Sequence, residues 1–82
     1  MTGSAGAGDE GKRERLMTVA HVRTQGEHTE VMFVESARIY RLRRDTQGYD
    51  EALRRLLRAV GSGRPVRIRL DRPNGEIIER VD

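Results

Sequence analysis

Between Tyr49 and Leu70 the chain spells a helix, a break and a strand, and any fold it adopts must accommodate that unit. Tyr49, Ala52, Leu53, Leu56, Leu57 and Val60 recur at helical spacing and form one apolar stripe. Asp50, Glu51, Arg54, Arg55 and Arg58 occupy the other side. The acidic pair lies in the first turn and the arginines follow, so Asp50–Arg54 and Glu51–Arg55 are set for i,i+4 ion pairs. Asp45 and Thr46 are the candidate N-caps. Gly61 and Gly63 end the helix, because a left-handed terminal residue is cheap for glycine. Val66, Ile68 and Leu70 then alternate with Arg67, Arg69 and Asp71, the period of a half-buried strand.

Upstream, Leu16–Thr24 and Glu30–Val34 are strand-like runs around Gln25-Gly26-Glu27. A two-residue turn at Gly26-Glu27 suits a type II′ hairpin and sets Val22 opposite Val31, Ala20 opposite Phe33 and Arg23 opposite Glu30. Strict alternation then gives one face Leu16, Thr18, Ala20, Val22, Val31 and Phe33. The other face carries Met17, Val19, Met32 and Val34 at one end. Two partly apolar faces cannot both be covered by one helix, so either the sheet curls into a barrel or the second face meets another chain. Met17, Val19, Met32 and Val34 are therefore the candidate protein interface.

Glu35–Arg44 reads either as a continuation of the second strand through a bulge or as a strand of its own. After Leu70, Arg72-Pro73-Asn74-Gly75 is a strong turn, and Glu76–Val81 returns as the last strand. The expected fold is a small α+β domain, an antiparallel sheet with one amphipathic helix in the order β-β-(β)-α-β-β. With Glu35–Arg44 as a separate strand, the order over residues 16–82 resembles the OB-fold, a five-stranded barrel with its helix between the third and fourth strands. That resemblance implies an OB-like five-stranded barrel as the alternative architecture and assigns no binding residue.

An 82-residue chain allows one domain, and its small core favours support from oligomerisation. Residues 1–15 are rich in glycine, alanine and serine and read as a disordered tail before a single domain at 16–82. Within the tail, Gly6–Lys12 has the G-x-x-x-x-G-K skeleton of a phosphate loop, but Arg13 stands where Ser or Thr is required and no strand precedes it. With no cysteine there is no disulfide or thiolate site, and with two histidines a zinc centre is not expected; no metal or cofactor is assigned. No apolar run approaches a membrane span or a signal peptide, so a cytoplasmic location is the default expectation.

His21 shares a hairpin face with Glu30, which would allow an oriented imidazole, but no Ser, Cys or Lys nucleophile stands at an informative spacing. Asp71, Glu76 and Glu79 read as solvated acids, and the chain is expected not to be an enzyme. Charge is uneven: residues 37–72 hold eleven arginines against four carboxylates. Arg54, Arg55 and Arg58 on the helix, with Arg67 and Arg69 on the strand, are the candidate nucleic-acid surface. The leading expectation is a binding or assembly domain that self-associates or docks a protein partner; nucleic acid is the alternative partner.

Overall fold

A computed structural model describes residues 13–82. The order is β1 (Glu14–Gln25), β2 (His28–Phe33), β3 (Ile39–Arg43), α1 (Tyr49–Ser62), β4 (Pro65–Leu70) and β5 (Ile78–Val81). Five antiparallel strands make one sheet in the order β3-β2-β1-β4-β5, with the helix packed chiefly against β1. The phosphate-loop skeleton and most of the expected tail lie outside the described residues. Glu14 and Arg15, read as tail, instead pair with Arg69 and Ile68 at the start of β1.

β1 is shared between two half-sheets. Its first half, Glu14–Thr18, pairs with β4, and its second half, from Val19 on, pairs with β2. Val22 faces Val31 and Arg23 faces Glu30, as the Gly26-Glu27 turn requires, and Gly26 has the positive φ of 51° that such a turn needs. Strict alternation fails at Ala20. Val19, not Ala20, stands opposite Phe33, and the register shifts between Val19 and His21. One extra residue turns everything before it over. Met17 and Val19, expected on the second face, therefore join Val31 and Phe33 on the first, where they are 6% and 4% exposed.

The bulge resolves the problem of two apolar faces. Both half-sheets now direct their apolar residues to one side, where Ile68, Leu70, Ile78, Leu42 and Leu56 are fully buried. Phe33 and Tyr40 meet edge to face, ring centroids 5.2 Å apart at 74°. The outer edges of the sheet meet once, where the Arg41 N–H donates to the Glu76 carbonyl at 2.8 Å beside a single parallel bridge from Arg41 to Ile77. One bridge does not continue the ladder, so the sheet stays open and the closed OB-like barrel is not reached.

Glu35–Arg44 resolves into a turn and a separate strand. The turn has no glycine, asparagine or proline; the Ser36 hydroxyl accepts the Arg38 N–H at 3.1 Å instead. At the other end of the sheet, Asn74 adopts φ 62° and the Gly75 N–H reaches the Arg72 carbonyl at 2.9 Å, completing the expected Pro-Asn-Gly turn.

The helix is rotated from its expected orientation. Ala52, Leu56 and Ala59 are buried, Tyr49 and Leu53 are half-buried, and Leu57 is 53% exposed, with Val60 exposed as well. Small Ala52 and Ala59 flank Leu56 and permit close approach to the sheet, so the contact centres on that line. Neither Asp45 nor Thr46 caps the helix: the N-cap is Gly48 in the left-handed conformation, without a side-chain bond, while Asp45 holds Arg43 at 2.9 Å. At the far end Gly63, with φ 73°, donates its N–H to the Ala59 carbonyl; Gly61 remains within the helix.

Thr29 is the one buried polar side chain among the described residues, and its hydroxyl lies 2.8 Å from the Tyr49 hydroxyl. This bond joins β2 to the first turn of α1. Tyr49→Phe removes the one hydroxyl among the described residues that reaches Thr29, and should cost about 1–3 kcal/mol of unfolding free energy in a urea titration. An unchanged midpoint would show that the Thr29 hydroxyl is satisfied some other way.

Candidate interaction surfaces

The side of the sheet turned away from the helix is the broadest uncovered feature. Because the bulge takes Met17 and Val19 inside, only Met32 and Val34 of the expected interface residues remain exposed. Two others take the vacated places. Leu16 is 64% exposed and Ile39, paired with Met32, is 43% exposed. Val34, 69% exposed, bonds through its N–H to the Thr18 carbonyl at 2.9 Å, which brings it alongside β1. Leu16, Met32, Val34 and Ile39 thus lie on neighbouring strands of one face. Leu16 and Ile39 carried no distinguishing signal in the sequence, since both faces of the hairpin looked partly apolar.

Beside this patch the ladder stops. β2 ends at Phe33, and the Glu35 carboxylate accepts the Thr18 N–H at 2.8 Å where another strand would supply a carbonyl. That backbone bond, followed by the Thr18 hydroxyl, holds the Glu35 carboxyl below the ordinary carboxylate range. Glu14–Met17 consequently has β4 on one edge and, among the described residues, no strand on the other.

The candidate nucleic-acid residues are not brought together. Arg67 and Arg69 project from the side of β4 opposite buried Val66, Ile68 and Leu70, whereas Arg54, Arg55 and Arg58 ride on the helix that covers the buried side. Arg55 is a structural strut. It donates to the Val81 carbonyl at 2.8 Å and pairs with Glu51 and Asp82 at 3.2 and 3.6 Å, while Arg54 leans on Glu51 at 3.7 Å. Tyr40, the one aromatic side chain within the arginine-rich 38–44 stretch, is in the core and offers no stacking surface.

Much of the charge asymmetry closes on itself. Arg38 bridges to Glu76 at 3.1 Å and to the Asn74 carbonyl at 3.0 Å, and Arg13 reaches Glu79 at 3.2 Å. Arg38–Glu76 and Arg55–Asp82 fasten the acidic last hairpin to the arginine-rich middle of the chain, and Arg13 fastens it to the start of β1. Of the acids read as solvated, Glu76 and Glu79 are thus each held by an arginine.

The histidines do not form an oriented base. Glu30 takes Arg23 at 3.4 Å and His28 Nε2 at 3.7 Å, while His21 stands opposite Met32. Among the described residues no group of three or more metal-ligating side chains assembles, and no helix is long and apolar enough to cross a membrane.

No protein-family model matches the sequence, and a search of curated proteins returned no match. Two solved structures share the fold. One is pro- protein-glutaminase, with a TM-score of 0.72, 20% identity, and coverage of 85% of this chain and 25% of that one. The other is a mutant of the same protein, with a TM-score of 0.71, 21% identity, and coverage of 82% and 23%. The chain thus spans about a quarter of the length of the structures it matches, and at this identity the likeness shows the fold alone. It also overturns the expectation that the chain is not an enzyme: a missing nucleophile motif says nothing of fold, and this fold occurs within an enzyme precursor, pro- protein-glutaminase.

Proposed function

We propose that this chain is a protein-docking domain that works through the open face of its sheet. The observation that carries this reading is the grouping of Leu16, Met32, Val34 and Ile39, all exposed, on a face that no described element covers. The edge at Glu14–Met17, which no described strand pairs, borders the same patch, so an incoming surface gains backbone hydrogen bonds as well as apolar contact. Occurrence of the fold within a much longer chain, pro- protein-glutaminase, supports a unit that operates against other protein surface.

The simplest partner is a second copy, face against face. Sedimentation of the full chain at high micromolar concentration should give twice the chain mass, and Met32→Glu with Val34→Glu should halve it while leaving the circular dichroism spectrum unchanged. Both residues are exposed, so the paired substitution tests the face without opening the core. A wild type that stays monomeric at these concentrations overturns self-association.

A further inference from the structure

A second surface lies at the C-terminal end of the helix. Arg55, Arg58, Ala59, Ser62, Arg64, Pro65, Val66 and Asp82 line a groove of about 280 Å³ between the last turns of α1, the start of β4 and the end of β5. Its floor is apolar, from Ala59, Pro65 and Val66. Three guanidinium groups and one carboxylate stand around it.

The ion pairing is uneven. Asp82 meets Arg55 at 3.6 Å and Arg80 at 3.4 Å, so one rim of the groove already holds a carboxylate. Neither Arg58 nor Arg64 meets a carboxylate among the described residues; the Arg64 backbone N–H is tied to the Ser62 hydroxyl at 3.1 Å. The tight turn at Gly63, with φ 73°, carries the chain from the helix carrying Arg58 to Arg64 on the same groove. Two uncompensated guanidinium groups over an apolar floor are complementary to a ligand that is apolar at its centre and anionic at its edges.

We infer that this groove docks an acidic peptide segment of a partner protein, with one apolar side chain on the Ala59–Pro65–Val66 floor and carboxylates on Arg58 and Arg64. Arginine forks bind carboxylates in two-pronged fashion, which fixes the direction of the segment. A nucleic-acid strand fits less well: its phosphates gain nothing from an apolar floor, and no exposed aromatic side chain offers a stacking surface. The groove lies apart from the apolar sheet patch and shares no residue with it, so this inference does not depend on the docking role of that face.

The test uses the full chain and a fluorescein-labelled peptide bearing one leucine flanked by two glutamates on each side. Fluorescence anisotropy should show saturable binding that weakens about tenfold in Arg58→Gln with Arg64→Gln, the scale expected when charge-assisted bonds are lost. Replacing the leucine by serine should also weaken binding several-fold. The melting curve of the double variant, whose two substituted side chains are exposed, should match the wild type. Absence of saturable peptide binding overturns the inference, and so does equal binding by the double variant or by the serine peptide. Tighter binding of a labelled thymidine oligonucleotide than of the peptide, lost in the same double variant, would assign the groove to nucleic acid instead.

Discussion

Val19→Asp should abolish the cooperative unfolding transition of this protein, whereas Ala20→Asp should melt within a few degrees of the wild type. Val19 is 4% exposed and Ala20 is exposed, the reverse of what strict alternation gives. Ala20 acts by being counted: it is the extra position between Val19 and His21 that leaves Met17 and Val19 inward while Val22 faces Val31. Burying an unpaired carboxylate at position 19 costs several kcal/mol, beyond the about 1.5–3 kcal/mol lost with the valine, against a total of about 4–12 kcal/mol expected for a domain of this size. Thermal melting followed by circular dichroism should show a broad, non-cooperative change for the first variant and a sharp one for the second. The opposite outcome, with Ala20→Asp the damaging substitution, would mean that strict alternation runs through β1 without a bulge.

Leu56→Ala should cost about 2–5 kcal/mol, since the side chain is fully enclosed between the helix and the curved sheet and its removal leaves a cavity. The informative partner is Leu57→Ala. These are adjacent leucines of one helix, and periodicity alone places both on the apolar stripe, but Leu57 is 53% exposed and should lose less than about 1 kcal/mol. Urea titration of the two variants checks the rotation of the helix directly. Equal losses would return the helix to the orientation that its sequence implies.

The rotation shows where one-dimensional patterns stop. Tyr49, Ala52, Leu53, Leu56, Leu57 and Val60 define an arc wider than the sheet can cover, and the side that wins depends on what can approach. The two alanines allow the closest packing, and Arg55 lies beside that line, so its guanidinium reaches the Val81 carbonyl at 2.8 Å. Leu57 carries no signal that would set it apart from Leu56, and Val60 is left exposed with it for the same reason. Caps behaved likewise. Asp45 is a good capping residue by type, but a cross-turn arginine, Arg43, engages it first.

The candidate surfaces were only half legible. Met32 and Val34 were readable as exposed because they alternate with Val31 and Phe33 on a short strand with a defined turn. Met17 and Val19 were not, because a bulge has no residue signature here: Ala20 looks like any strand residue, and only the competing demands of two partner strands reveal it. The arginines failed as a single surface for a related reason. Sequence proximity between Arg58 and Arg67 does not survive the turn at Gly63, after which β4 sends Arg67 and Arg69 to the far side of the sheet. Arg64, unremarkable in the sequence, ends beside Arg58.

The amino-acid sequence by itself determined the element types and, apart from whether Glu35–Arg44 forms its own strand, their order, because helix and strand periods, glycine and proline punctuation and the Gly26-Glu27 turn are local properties of the backbone. It also determined that two apolar sets had to be reconciled by one helix. Which set went inside was decided only in three dimensions, by the bulge at Ala20 that lets a single long strand serve two half-sheets. The side of the Tyr49–Ser62 helix that meets the sheet was decided there too, by the packing of Ala52, Leu56 and Ala59 against strands distant in the chain. Side-chain burial depends on neighbours that no local pattern encodes, and so the uncovered face and the arginine-rimmed groove belong to the tertiary structure.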